Sequence, residues 1–290
     1  MIKSVIATII SILSLGLSVS AQDTDALLWQ ISGNNLSQPS YLFGTIHLMC
    51  PDDIQITQPM KDALRNSEQV VLELDMDEPG IMQEMQSVAM MTDGTTLNDL
   101  LNQDEYQLVE NYLQDSLGVP MQAINTMKPL MLSTFTFLDV LNCQPGSYEM
   151  QLVQQAQEQQ KEVLGLETTD DQAKAFDFIP LEEQADYLVD AIQNYDETVF
   201  EIEALLAAYQ SEQVEHLYNI THESMQEMKG AEESLLTKRN QEWIPIMKEM
   251  AQDQPTFFAV GAAHLGGPMG VISLLKKQGY TVEPVRSVSQ

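Results

Sequence analysis

Two stretches of the chain, Tyr41-Leu-Phe-Gly-Thr-Ile-His-Leu48 and Phe258-Ala-Val-Gly-Ala-Ala-His-Leu265, share one pattern: a strand-length apolar run, glycine, two residues, then histidine and leucine. The segments downstream of the two stretches are also alike. After the first, an amphipathic segment that follows Pro51-Asp52-Asp53 and runs to Asn66 leads to Gln69-Val-Val-Leu-Glu-Leu-Asp75, a short β-branched run suited to a buried strand. After the second, Gly267 to Gln278 reads as a helix and Thr281 to Val285 as a strand. We read a degenerate internal repeat of two strand–GxxH–helix–strand units. Such alternation predicts an α/β (α+β) fold with a mixed, partly parallel central sheet, in which ligands collect beyond the carboxyl ends of the strands. Strands over 40–48 and 256–264 would put both histidines at such ends.

The remaining segments extend this plan. Residues 26–33 read as a strand forming a hairpin with 40–48, and Lys161-Glu-Val-Leu-Gly-Leu-Glu167 as a further buried strand. Helical patterns fill about 79–160 and 169–251, with starts near Thr95 and Asn125 and breaks at Gly118-Val-Pro120, Gln144-Pro-Gly146, Pro180 and Met228-Lys-Gly230. They predict a large helical insertion or cap within one domain over 22–290. Residues 1–21 carry one lysine, an apolar run and a Val-Ser-Ala end, the form of a cleaved secretory signal peptide. No other segment stays apolar long enough to span or anchor in a bilayer, so the expected location is periplasmic or secreted.

A formal net charge of −30 argues against nucleic acid or anionic lipid as partner, since both require a basic face. Only Cys50 and Cys143 occur, and in an oxidising compartment they form either a disulfide or two unpaired thiols. The 17 methionines at helical spacing read as core and cap packing in preference to copper capture.

The chain has four histidines, of which His216 and His222 lie in a Glu-rich helical stretch and read as solvated. His47 and His264 stand at matched positions, each three residues after a glycine, Gly44 and Gly261. Glycine permits close backbone approach and unusual dihedrals, letting a strand end abruptly and aim an imidazole into a cleft. Glu73, within the apolar run Val70-Val-Leu-Glu-Leu, needs a cation or donors if buried. Two histidines and a carboxylate from separate strands, with positions left for water, suit a catalytic divalent metal; Glu73 is then a ligand or the general base. Glu167 reads either as a helix-start carboxylate or as a second acid on the site. Arg239 either pairs with Glu73 or an oxyanion, or is a surface helical arginine.

Taken together, Tyr41-Leu-Phe-Gly-Thr-Ile-His47, Val71-Leu-Glu-Leu-Asp75, Lys128-Pro129, Leu164-Gly-Leu-Glu-Thr168 with Gln172, Arg239-Asn240 with Trp243, and Val260-Gly-Ala-Ala-His264 resemble the TraB/PrgY/GumN family, which includes the Tiki metalloproteases. The resemblance implies a sheet of paired repeats with a helical insertion, similar to erythromycin-esterase and haem-binding ChaN-like proteins, and places His47, Glu73, Arg239 and His264 on one site, with Asn240 in support. Its Tiki branch implies peptide cleavage with manganese or cobalt, zinc being an alternative; the TraB and PrgY branch implies restraint of a peptide pheromone. The sequence departs from the family pattern at Leu130, where an aromatic residue is expected, and at Ser147-Tyr-Glu149, where Gly, an apolar residue and Asp are expected. The leading expectation is an exported metal-dependent hydrolase acting on a peptide or small molecule. A non-catalytic peptide- or haem-binding protein of the same fold is the alternative.

Overall fold

The computed structural model describes residues 25–286, so the expected signal peptide lies outside the described residues. Six strands form one mixed sheet: β1 (Leu28–Gly33), β2 (Ser40–Thr45), β3 (Gln69–Leu72), β4 (Glu162–Gly165), β5 (Thr256–Gly261) and β6 (Tyr280–Pro284), in the order β4-β3-β5-β2-β1-β6. Strands β2, β5, β3 and β4 are mutually parallel, and β1 pairs antiparallel with both β2 and β6. The hairpin and both repeats are present as the sequence predicts.

The two repeat units leave the sheet's centre in opposite directions. The first runs from β2 through the helix Gln58–Arg65 to β3, passing over β5; the second runs from β5 through the helix Val271–Lys277 to β6, passing over β2 and β1. The boundary between β2 and β5 is therefore a topological switch point, where α/β sheets open a crevice at their carboxyl edge. Register tightens the arrangement, because Thr45 pairs with Gly261 and brings the two strand ends level.

Residues 81–158 and 169–253 are mainly helical, as expected, with the edge strand β4 between them. Part of this helical region has an apolar cluster of its own, including Leu97, Val109, Leu113, Leu132 and Leu188, while the sheet packs a larger cluster around Val70, Val71, Leu72, Phe257 and Phe258. All four residues of β3 are buried, which explains its unbroken apolar sequence. Among the described residues no helix is long and apolar enough to cross a membrane. Cys50 and Cys143 are disulfide-bonded, with Cα atoms 5.9 Å apart.

Several boundaries differ from expectation. Strands β2, β3 and β5 end at Thr45, Leu72 and Gly261, so His47 and Glu73 lie just past their strands and His264 sits in a short 3-10 turn, Ala262–His264. After β3 and β5 apolar residues continue because the segments remain buried once their ladder hydrogen bonds stop, whereas the segment after β2 turns outward at His47. The histidines outside the sheet also differ from each other: His216 is exposed, whereas His222 stacks on Tyr218 beside Glu232.

Candidate active site

Four neighbouring parallel strands each deliver one polar side chain to the same edge: Glu167 after β4, Glu73 after β3, His264 after β5 and His47 after β2. The backbones of Glu73 and Glu167 are tied directly, the Leu166 and Glu167 N–H groups donating to the Glu73 carbonyl at 3.1 and 3.0 Å. That pairing sets the two carboxylates side by side.

Arg239 joins them. Its Nη2 donates to Glu73 Oε2 at 2.5 Å and to Glu167 Oε1 at 2.6 Å, while Nε donates to both Glu167 oxygens at 3.2 and 3.1 Å. The arginine side chain is only 12% exposed, which rules out the surface reading. A π-turn at Glu233–Thr237 precedes its helix, Lys238–Asp253, and the Leu235 carbonyl accepts from Nη1 at 3.0 Å. Trp243, one turn further, donates from Nε1 to Glu167 Oε2 at 3.0 Å and lies under the guanidinium, 4.8 Å from its ring centroid. Glu167 is therefore a site carboxylate; the helix after it is capped by Thr168, whose side chain accepts from the Asp171 N–H. Burial alone would raise the Glu73 carboxyl, but Arg239 and the Gly261 N–H, 2.7 Å from Oε1, hold it well below the usual carboxylate range.

Each histidine is anchored through Nδ1. Asn240 donates from Nδ2 to the Met269 and His264 carbonyls at 3.0 and 3.4 Å, which leaves its Oδ1 to accept from His264 Nδ1 at 2.7 Å. His264 thus carries its proton on Nδ1. Burial and the nearby Arg239 charge push its pKa down to about 3, so the ring is neutral with an Nε2 lone pair, 3.3 Å from Arg239 Nη1. His47 Nδ1 lies 2.9 Å from Glu149 Oε1, and the same carboxylate accepts from Thr45 Oγ1 at 2.7 Å and Ser147 Oγ at 2.5 Å. Desolvation draws the His47 pKa down, but its side chain is 65% exposed, and the hydrogen bond and charge of Glu149 prevail in raising it.

Gly261 lies where these groups meet. A Cβ built there would be 3.3 Å from Glu73 Oε1, 3.5 Å from His264 Cδ2 and 3.8 Å from His47 Nε2. At Gly44 a Cβ would be 3.1 Å from Ala262 and Leu265 atoms of the turn that carries His264. Neither glycine adopts a positive φ, so unusual dihedrals are not the reason for them. Close approach is.

These donors fit a divalent metal in kind: two imidazoles anchored through Nδ1, of which His264 presents its Nε2 lone pair beside Arg239 and His47 would present Nε2 on losing its proton, and an ionised carboxylate bordering the same space. Among the described residues no three His, Cys, Asp or Glu side chains already stand together as a metal cage. His264 Nε2 and Glu73 Oε1 are 4.0 Å apart, against roughly 3.4 Å for tetrahedral ligands at about 2.1 Å from a metal. The site is thus an open donor set with Arg239 hydrogen-bonded to two of its members.

The residues marked by the sequence, His47, His264, Glu73, Arg239, Glu167, Asn240, Gly44 and Gly261, all converge here. The sequence assigns no role to Glu149 or Trp243, and the structure gives each one. Glu149 stands where the resemblance leads one to expect Asp, and an expected acid at that position is the signal that could have found it.

The sequence profile of the TraB/PrgY/gumN family matches residues 27–284. The chain is 25% identical to Metalloprotease TIKI2 of Xenopus tropicalis, with 92% of this chain and 61% of that protein covered. It is 23% identical to Metalloprotease TIKI1 of Homo sapiens, covering 90% and 62%, and 23% identical to Metalloprotease TIKI2 of Danio rerio, covering 91% and 62%. The chain thus spans about three fifths of the length of these relatives. No solved structure matches significantly. With its family profile covering all six strands and the whole polar edge between them, the chain belongs to the TraB/PrgY/gumN family.

Proposed function

We propose that this protein is an exported metal-dependent hydrolase that cleaves peptide bonds, with His47, His264 and Glu73 as the metal-holding residues. The observation that carries the reading is the matched anchoring of two histidines: each Nδ1 is engaged by an acceptor, Glu149 or Asn240, and the remaining donors border the space at Gly261. Outer-shell partners of this kind fix the tautomer and ring orientation of metal-ligating histidines. Relatives named metalloproteases support the reaction class. The disulfide and the sequence of residues 1–21 support an oxidising, exported setting.

A bound divalent ion, manganese or cobalt by analogy with the Tiki branch, would supply Lewis acidity and lower the pKa of a water molecule. The chain's own groups then have separate tasks. Glu73, ionised and 9% exposed in its side chain, contributes a carboxylate oxygen next to His264. Arg239 holds that carboxylate against Glu167 and presents the positive charge nearest to Glu73. Glu149 keeps His47 oriented from the exposed side of the site.

Calorimetry on the full-length processed protein with Mn²⁺, Co²⁺ and Zn²⁺, followed by a peptide-library digest, tests this. The expected result is saturable one-site binding and cleavage that stops on chelation. Absence of binding by all three metals would sink the metallohydrolase reading. In the same assay Glu149→Gln should weaken metal binding about 10–100-fold, the usual effect of removing an outer-shell partner. An unchanged affinity would show that Glu149 does not orient His47.

A further inference from the structure

The Cys50–Cys143 bridge lies close to His47. Cys50 is three residues beyond His47, and Cys143 is six residues before Glu149. Between the disulfide and the His47–Glu149 contact there is a second link. Met49 and Gly146 form an antiparallel backbone pair, the Met49 N–H donating to the Gly146 carbonyl at 3.1 Å and the Gly146 N–H to the Met49 carbonyl at 2.8 Å. Next come the hydroxyls of Thr45 and Ser147, one from each segment, both donating to the Glu149 carboxylate. Segments 45–50 and 143–149 are therefore fastened at three successive levels: a covalent bond, a backbone pair and a shared carboxylate.

The two histidines depend on this fastening unequally. His264 is 6% exposed in its side chain, tilted against the Trp243 ring at 4.5 Å between centroids and bonded to Asn240. Packing and the Asn240 hydrogen bond keep it in place. His47 has a side chain 65% exposed, and the Glu149 carboxylate is what engages its Nδ1. Glu149 itself is fixed, in the first turn of the helix Tyr148–Glu158, whose Tyr148, Leu152 and Val153 pack in the sheet core, so the mobile partner is the His47 loop, which the Met49–Gly146 pair and the disulfide fasten to the segment before that helix.

We propose that the Cys50–Cys143 disulfide is a redox lock on His47: bonded, it holds the His47 loop so that Nδ1 meets the fixed Glu149 carboxylate and Nε2 stays toward the space at Gly261, and reduced, it frees the loop and releases the ring. Only the consequence for metal affinity rests on the proposed hydrolase reading, since the lock itself is a property of His47. The reductant is a dithiol. One of its thiolates attacks a cysteine sulfur, breaking the S–S bond and forming a mixed disulfide, and the second cysteine leaves as a thiolate. The reductant's other thiolate then displaces the first cysteine, so the protein gains two electrons and two protons and the reductant becomes a disulfide. Both cysteines are partly exposed, which gives the attacking thiolate access.

The test is NMR of the histidine-¹⁵N-labelled full-length processed protein, oxidised and after anaerobic reduction with dithiothreitol, with Cys50→Ser/Cys143→Ser as a second, reductant-free comparison. The lock requires His47 to show a hydrogen-bonded, slowly exchanging Nδ1–H in the oxidised protein and a shifted, solvent-exchanging one after reduction, while His264 keeps its signals. In parallel calorimetry Mn²⁺ affinity falls about 10–100-fold on reduction. His47 signals that ignore reduction in both samples overturn the proposal. Joint loss of the His47 and His264 signals also overturns it, because the bridge would then hold the whole fold and not one histidine. A His47 that responds in a protein that binds no metal in either state supports the lock and removes the metallohydrolase reading instead.

Discussion

Replacing Arg239 with alanine should cost the fold about 3–5 kcal/mol in denaturant unfolding, the range seen when one partner of a buried ion pair is removed. The size reflects the charges left behind. Glu73 and Glu167 have side chains 9% and 6% exposed and share the guanidinium across four hydrogen bonds, two of them short. Without it, Trp243 still donates to Glu167 and the Gly261 N–H to Glu73, but two adjacent carboxylates have lost their counter-charge. Arg239→Lys should recover part of the loss only, because an ammonium cannot present the planar fork that spans both acids.

The pH dependence of this variant has a definite sign. In the wild type Glu73 is held below its ordinary pKa, so the stability it contributes is complete above the unfolded carboxylate value, about 4.3, and is lost as pH falls below it. In Arg239→Ala, burial acts without its main opponent and raises the Glu73 pKa, so protonation relieves the penalty. The deficit relative to wild type should therefore narrow as pH is lowered from 7 to 5. A deficit below about 1 kcal/mol at pH 7, or one that widens with acid, would show that the carboxylates are adequately solvated without Arg239.

Gly261→Ala should reduce metal affinity and any cleavage at least about 100-fold while leaving most of the stability in place, since misplacement of about 1 Å at a site can cost that much. Its φ of −50° suits alanine, so no backbone strain opposes the change. The added methyl would instead occupy the space bordered by Glu73 Oε1, His264 Cδ2 and His47 Nε2. His264→Ala is the matching deletion, removing a donor where Gly261→Ala fills the space between donors. If calorimetry finds Gly261→Ala binding as wild type does while His264→Ala does not, the ion sits elsewhere around His264.

Much of this arrangement is legible in the sequence because the paired GxxH stretches mark two strands and the residues just beyond them. The order of strands is not. That His47 and His264 follow neighbouring strands comes from β5 pairing with β2, a contact between residues far apart in the chain. Glu73 reads as a carboxylate in need of a partner, and that partner is Arg239, whose orientation depends on the π-turn before it; no periodicity in Ala231 to Arg239 announces that turn. Glu149 is hidden for a different reason. It sits at the start of the amphipathic helix Tyr148–Glu158, where an acidic residue needs no special explanation, and the long-range packing of that helix on the sheet is what carries it to His47.

The sheet order also governs when the site comes into being. Strand β5 lies between β2 and β3, yet it is the fifth of six strands to be synthesised. Until residues 256–261 arrive, β2 and β3 have no shared neighbour, and both present backbone edges that β5 alone covers in the native sheet. His47, Cys50, Glu73, Cys143 and Glu149 have all been made by then, with their common centre still missing. A chain that folds as it emerges, N-terminus first, must keep this gap open across the entire helical region, so closure of the sheet and completion of the polar edge are one late event.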